Sequence, residues 1–427
     1  MNDLRLRPGA NDRHNAGWAV AAATAIGLLS TPAQAANQAF ENFFIAACTG
    51  ATGALATQCN TNIPGALLSG DSESSLNPSQ VSSGNNLSIT RAKAVTSEAQ
   101  ERLETSRAKQ AGRYYGLNAG DEAGFGALSM YLNLKGEKFD RDRLLDVDQE
   151  KGFDGWTAGF QLGADYRLSD ALVVGALLGI DHSELKFDAD TAGGGFNPGD
   201  NEGGTRSDNF FLNVYSSYSV TDNFYVDGTI GAGYTDYTFD RNVILQNTAR
   251  AFAVDVAATG ETHGFEYSLS AGAGYDFYKG ALSIGPYVRV NYARSHIQGF
   301  TEDDRNGTGM NMFVGDAMAQ STTSVVGVQA SYAISQDWGV ILPQFRFEVE
   351  HEFEDDPRFV TSSMAQSNAN ATFATSSDAP DRNYYNLGVG LLMILPNGWM
   401  PFLDAEMLLG YKDFDRQRYT AGLRAEF

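Results

Sequence analysis

Few residues of this chain have types and spacing that can do chemistry, and they do not assemble a known catalytic motif. Gly70-Asp71-Ser72 has the order that begins one serine-esterase motif, but no Asp-x-x-His follows in the sequence. His351-Glu352 lacks the second histidine of a zinc-protease helix. The patterns G-x-S-x-G and G-x-x-x-x-G-K-[ST] are both absent. We therefore expect no catalytic residue and no cofactor.

Metal chemistry has equally little support. With 2 Cys and 5 His in 427 residues, the chain cannot build a cysteine-rich zinc module or an iron–sulfur site, and a histidine-based metal enzyme is disfavoured. The acidic runs Glu302-Asp303-Asp304 and Glu352–Asp356 can bind divalent cations beside lipopolysaccharide or simply be solvated loops. Cys48 and Cys59 can close one small loop in an oxidising compartment or stay free thiols. No metal site is expected.

The overall charge disfavours one large class of partners, the nucleic acids. Lys and Arg number 30 against 52 Asp and Glu, which gives a formal net charge of −22. A nucleic-acid-binding protein needs a basic face to meet the phosphate backbone. We expect no nucleic-acid partner.

The N-terminus has the three parts of a secretory signal peptide. Three arginines within the first thirteen residues precede an apolar stretch at 18–29, and Ala33-Gln34-Ala35 forms an A-x-A cleavage site. The apolar stretch is too short for a stable membrane helix. Residues 1–35 are predicted to be a signal peptide that directs the chain to the Sec export machinery.

The next two segments differ in composition. Residues 36–87 are mostly small and polar, and so short a stretch cannot bury much core, so we expect it to be loosely ordered. Residues 88–112 mix alanines such as Ala92 and Ala99 with charged residues of good helix propensity. This pattern predicts a helix over 88–112, either solvated or threaded through a polar channel.

From about residue 124 onward the chain alternates apolar and polar residues with the period of a β-strand. The last segment shows this clearly, because small or charged residues separate the apolar members Tyr419, Ala421, Leu423, Ala425 and Phe427. We count twelve strands, with candidate starts near 125, 156, 171, 208, 223, 263, 281, 320, 338, 383, 399 and 416.

The connections between these strands favour a membrane barrel over a soluble sandwich. Short joins alternate with long ones at about 136–154, 188–207, 238–262, 296–318 and 355–381, and a sixth join at 413–415 is short. Outer-membrane barrels carry tight turns at one rim and long loops at the other. Aromatic residues such as Trp156 and Trp399 lie near strand ends, where an interfacial girdle requires them. The sequence thus predicts an all-β fold, a twelve-stranded antiparallel transmembrane β-barrel.

The C-terminal part, roughly residues 124–427, resembles the autotransporter β-domain family. The resemblance is carried by 285–302, Phe345–Asp356, Asn386–Leu392 and the ending Tyr419–Phe427. It implies a barrel in the bacterial outer membrane, a helix in or near the pore and an upstream passenger that crosses to the cell surface. The ending then looks like the signal read by the barrel-assembly machinery, formed by Tyr419, Ala421, Leu423, Ala425 and Phe427.

The same resemblance gives a chemical interpretation to Asn85-Asn86, because some family members cut their passenger free at an Asn-Asn pair inside the pore. An asparagine amide nitrogen can attack its own backbone carbonyl to form a succinimide, with a lumen carboxylate assisting proton movement. The alternative is a flexible turn before a helix N-cap at Ser88. The candidate inward carboxylates are Asp165, Asp227, Glu266, Glu348, Glu350, Asp404 and Glu406.

These observations divide the chain into a signal peptide at 1–35, a passenger-like segment at 36–87, a pore helix at 88–112 and a barrel at 113–427. The expected function is export or display of the chain's own short N-terminal segment from the outer membrane, among lipid and lipopolysaccharide. Two alternatives stay open, an adhesin-like or structural barrel acting through surface loops and a passive pore.

Overall fold

The computed structural model describes residues 42–60, 80–110, 127–142, 151–188, 203–247, 252–396 and 398–427. The predicted signal peptide at 1–35 and the Gly70-Asp71-Ser72 motif lie outside these residues. A helix at 42–48 (α1) precedes helix α2, Gly53–Cys59, and the long helix α3, Gln80–Gln110. No helix in the described ranges is both long and apolar enough to span a bilayer.

Twelve long antiparallel strands form a closed barrel, as the sequence predicted. In chain order they are β1 Leu128–Arg141, β2 Phe153–Arg167, β3 Leu172–Phe187, β4 Gly203–Ser219, β5 Phe224–Asn247, β6 Phe252–Tyr275, β7 Leu282–Ile297, β8 Ala317–Tyr332, β9 Gly339–Glu352, β10 Asn383–Ile394, β11 Trp399–Leu409 and β12 Phe414–Glu426. Each strand pairs with its sequence neighbours, and β1 pairs with β12 from Ser129↔Glu426 to Arg141↔Phe414. Closure pairs the first strand of this sheet with its last, so the barrel wall in the described residues meets the requirement of a bilayer that sheet edges be paired.

The two ends of the barrel differ, because all of the long connections lie at one end. The connections at 168–171, 220–223, 276–281, 333–338 and 395–398 are short, and we call this end the turn end. The other end, the outer rim, carries the connections at 142–152, 188–202, 248–251, 298–316, 353–382 and 410–413. In outer-membrane barrels the longer loops face the cell exterior.

Two of the connections at the outer rim contain short strands. Phe300–Thr301, Met312–Val314, Phe359–Met364 and Phe373–Ser376 form a separate four-stranded sheet, and Asp303–Asp304 pairs with β6. At the turn end, Phe277–Lys279 pairs with β7 and Ile334–Gln336 pairs with β9.

The prediction of a long loop at 238–262 is wrong for most of these residues. Strands β5 and β6 continue as a paired ribbon to Asn247↔Phe252. The inward residues of this ribbon include Phe239, Val243 and Val256, all of them buried. Burial of apolar side chains keeps the strand conformation where a solvated loop was expected.

The prediction that residues 36–87 are loosely ordered is wrong for 42–60, which we call the cap. The cap sits at the outer rim and buries Phe44, Ala47 and Leu55 completely. Their partners are Val256 of β6 and Met310 of a rim loop, together with other rim residues. The segment cannot build a core by itself, but the barrel loops provide one.

Candidate functional site

Helix α3 runs through the lumen and defines the candidate site; we call it the lumen helix. Its N-terminal part reaches the outer rim, where Val81 belongs to the same apolar cluster as the cap. Its C-terminal part lies near the turn end, where Arg102 contacts Asp165 of β2. The helix lies against strands β3 to β8.

The lumen helix begins eight residues earlier than the predicted start at Ser88. Gly84, Asn85 and Asn86 have weak helix propensity, which is why the sequence indicated a turn. A side chain at position 84 would come within 3.0 Å of the Phe239 ring, so the glycine lets the helix lie against β5. Contact with the barrel wall thus overrides local propensity, and the turn before a Ser88 N-cap is wrong.

Ion pairs connect the lumen helix to the wall at several heights. Arg91 donates to Glu266 Oε1 at 3.3 Å, and also to Ser183 at 3.2 Å and Ser207 at 3.1 Å. Lys93 pairs with Glu350 at 2.6 Å. All of these carboxylate and guanidinium groups are nearly inaccessible to solvent. Because an unpaired buried charge is costly, each pair fixes the rotation and height of the helix.

Further along, Glu98 lies 3.6 Å from Arg418 Nη1 and 3.8 Å from Lys135 Nζ, and Arg418 also pairs with Glu406 at 3.0 Å. Near the turn end, Arg102 donates to both oxygens of Asp165, one of them at 2.9 Å. This geometry is typical of a strong, charge-assisted guanidinium–carboxylate pair.

An apolar strip of the helix packs beside these pairs. Val95, Ala99 and Leu103 are buried against wall residues that include Tyr131 and Tyr215. Inward glycines leave space for large side chains of neighbouring strands, since a side chain at Gly163 would come within 2.2 Å of the Tyr131 ring. The aromatic rings thus lie across neighbouring strands and line the lumen.

The helix does not fill the lumen, and a cavity of about 340 Å³ remains beside it at the outer half. Its walls include Lys93 and Glu350 on one side and Phe139, Phe153 and Tyr411 on the other. Burial raises the pKa of Tyr411 to about 12, so this phenol is neutral at physiological pH. The described residues contain no group of three or more His, Cys, Asp or Glu arranged to hold a metal ion.

The Asn pair lies inside the lumen helix. Asn85 is 2 % exposed, and its side-chain oxygen has no hydrogen-bond partner among the described residues. Asn86 lines the cavity and accepts a hydrogen bond from Arg358 of a rim loop. Of the carboxylates that we considered for assisting cleavage at the Asn pair, Glu266, Glu348 and Glu350 are buried and form ion pairs. The same is true of Asp165 and Glu406.

The structure also shows the positions of the two cysteines and of the predicted C-terminal assembly signal. Cys48 and Cys59 are joined by a disulfide within the cap. Tyr419 and Leu423 point outward from β12, and Phe427 follows it with 66 % of its surface exposed. Ala421 is exposed on the same face, whereas Ala425 is covered opposite Trp399.

The acidic run at 302–304 is not a solvated loop throughout. Glu302 is 6 % exposed and accepts a 2.8 Å hydrogen bond from Arg241, a residue of the β5 extension that is 1 % exposed. Arg241 also donates to the Met310 carbonyl at 3.0 Å. Sequence reasoning missed this pair because its members are 61 residues apart, although an inward arginine in an apolar alternation signals a buried acidic partner.

Replacing Phe44 with alanine should weaken docking of the cap by about 3–5 kcal/mol, because the substitution leaves a cavity in a close-packed core. Phe44 is fully buried, whereas its neighbour Ile45 is 47 % exposed. Hydrogen exchange of residues 42–60 in the purified protein measures the effect. Ile45→Ala is the matched control, and equal exchange in the two variants would show that the cap is not held by this core.

The comparisons with known proteins agree with this geometry. The family model of the autotransporter beta-domain matches residues 139–406. The chain is 27% identical over 244 residues to an uncharacterized protein in the trpE-trpG intergenic region of Pseudomonas putida, covering 53% of this chain and 36% of that protein. It is 26% identical over 285 residues to the probable autotransporter YcgV of Escherichia coli strain K12, covering 65% of this chain and 25% of that protein.

The fold has solved counterparts. The translocator domain of the autotransporter NalP from Neisseria meningitidis superposes with a TM-score of 0.53 at 13% identity, over 78% of this chain and 98% of that domain. The chain spans about a third and a quarter of the two curated relatives. Because the family model covers more than half of the chain and the barrel is closed, this protein belongs to the autotransporter β-domain family and is a barrel of the bacterial outer membrane.

Proposed function

We propose that this barrel exports its own N-terminal segment and keeps that segment displayed at the cell surface. The observation that carries the proposal is the course of the chain. The cap lies at the outer rim, the lumen helix passes from there toward the turn end, and β1 begins at the turn end. A chain that has passed outward through its own barrel has this arrangement.

Several partners follow from this function. Sec machinery would move the chain across the inner membrane. The assembly signal for the barrel-assembly machinery would be Tyr419, Ala421, Leu423, Ala425 and Phe427, on and next to the strand that closes the barrel. The exposed apolar belt would then face lipid, with lipopolysaccharide in the outer leaflet.

Surface proteolysis of intact cells tests the export step. With an epitope inserted after Gly70, we expect external protease to remove the epitope while the barrel stays intact, because the segment joins the cap to the lumen helix. A periplasmic protein of the same cells should stay uncut, which shows that the protease has not entered the periplasm. Protection of the epitope in cells with a correctly assembled barrel would contradict export of this segment.

We also propose that the Asn85–Asn86 bond stays uncut, so that the barrel does no covalent chemistry on its own chain. Both residues belong to a continuous helix, and the lumen carboxylates Glu266 and Glu350 are engaged by Arg91 and Lys93. Engaged carboxylates are poorly placed to assist succinimide formation. Intact mass spectrometry of the purified protein should therefore give one chain that includes the cap, and a barrel whose N-terminus is Asn86 would contradict this.

A further inference from the structure

We propose that the loops at the outer rim are a non-covalent receptor for the cap, which therefore stays bound even when the backbone between the cap and the lumen helix is cut. This inference rests on the proposed display of the segment. It adds a specific partner surface to that function, formed mainly by the connections at 298–316 and 353–382 and by the extended ribbon of β5 and β6.

The first support is a shared apolar core. Phe44, Ala47 and Leu55 of the cap are inaccessible to solvent, and so are Met310 and Val314 of the rim loop. Phe43 of the cap stacks near Phe373 of the second loop with ring centroids 5.7 Å apart. A surface that buries whole side chains of this kind gains free energy in proportion to the apolar area removed from water.

The second support is backbone pairing with defined register. Ala51 forms an antiparallel bridge with Ser367. The Thr52 amide donates to the Gln366 carbonyl at 2.8 Å, and the Asn368 amide donates to the Gly50 carbonyl at 2.8 Å. This main-chain pairing fixes which cap residues lie opposite which loop residues, the principle by which extended peptides are recognised through their backbone.

Side chains add to this register. The Ser367 hydroxyl donates to the Ala47 carbonyl at 2.6 Å, and the Leu55 amide donates to the Gln366 side chain at 3.3 Å. At the contact itself, a side chain at Gly50 would come within 2.3 Å of the Ala369 nitrogen. An added methyl group at position 50 would therefore force the cap or the loop to shift.

The third support is the location of the disulfide. Both Cys48 and Cys59 lie within the cap, so the bond closes the cap on itself and does not attach it to the barrel. It holds together the two short helices on either side of the paired residues 50–52. A segment restrained in its bound shape loses less conformational entropy on docking, which favours retention without a covalent link.

Cutting the full chain at one engineered position tests the inference. A site for a sequence-specific protease is inserted after Gly70, and the purified detergent-solubilised protein is cut to completion and passed through a size-exclusion column under non-reducing conditions. We expect the N-terminal fragment to co-elute with the barrel. Elution of the fragment as a free peptide from the otherwise unchanged protein would overturn the inference.

Two alanine variants give the matched comparison. Gly50→Ala adds a methyl group against the Ala369 backbone, whereas Gly136→Ala adds one where no atom lies within 4 Å. Overpacking should weaken retention roughly tenfold or more in Gly50→Ala and not in Gly136→Ala. Equal retention of the fragment in the two variants would refute the pairing of the cap with the loop at 366–369. Phe44→Ala should independently reduce retention of the fragment. Heat-modifiable gel mobility confirms that each barrel is folded.

The outcome is separable from that of the proposed function. Because the cut is made in detergent, retention is measured whichever side of the membrane the segment occupies in cells. The epitope experiment on intact cells reports sidedness alone. A fragment that is retained in detergent but protected in cells would leave the receptor surface in place and refute export.

Discussion

The variant Asp165→Ala should open the lumen to ions. Asp165 is 6 % exposed and is the carboxylate that Arg102 of the lumen helix contacts through two nitrogens. Without it, a buried guanidinium loses its counter-charge, and breaking one side of such a pair costs about 3–5 kcal/mol. We expect the C-terminal part of the lumen helix to undock, and the conductance of the purified barrel in planar bilayers to rise above that of the unchanged protein.

Two further variants show whether the charge is responsible. Asp170→Ala, at the exposed turn between β2 and β3, should leave conductance unchanged. The double variant Arg102→Met with Asp165→Leu replaces the pair by apolar groups and should restore the closed lumen, because such replacements are often neutral or stabilising. If Asp165→Ala conducts no more than Asp170→Ala, the pair does not hold the helix.

The second large effect concerns the outer face of the barrel. Leu403 of β11 is 61 % exposed and pairs in register with Leu391, which the same alternation places outward. Replacing Leu403 with arginine puts a charge among the acyl chains, at an expected cost of about 2–4 kcal/mol near the midplane. We expect a lower membrane level of folded barrel, measured by heat-modifiable mobility in the outer-membrane fraction.

A matched charge outside the bilayer separates membrane burial from the substitution itself. Asp337 lies exposed in the turn between β8 and β9, so Asp337→Arg should assemble normally. Wild-type levels of folded Leu403→Arg would contradict the assignment of this face to lipid.

Much of the barrel could be predicted from the sequence, because alternation is a local signal. The twelve strands and the all-β barrel follow from period-2 patterns and the rhythm of the connections. The exposed aromatic residues at strand ends are another local feature. Trp156, Trp338 and Trp399 are each more than 40 % exposed, as an interfacial girdle requires.

The contents of the lumen and the cap were less predictable, because their conformation depends on partners far away in the chain. Residues 80–87 form a helix against the barrel wall, where Gly84 meets Phe239, which is 155 positions away. The cap is packed against distant rim residues, among them Met310 and Val256, which complete its core. Arg241 with Glu302, and Arg102 with Asp165, are pairs whose partners no local pattern identifies.

The central claim is that the lumen helix lies inside a closed barrel in the living cell, and a thiol cross-link across the lumen tests it most directly. Gln100 of the helix donates to Ser270 of β6 at 2.9 Å, whereas the adjacent Leu269 points outward with 55 % of its surface exposed. In intact bacteria, a short bifunctional thiol reagent should join Gln100→Cys to Ser270→Cys and shift the mobility of the barrel. Cross-linking of Gln100→Cys to Leu269→Cys instead, with none to Ser270→Cys, would contradict the account.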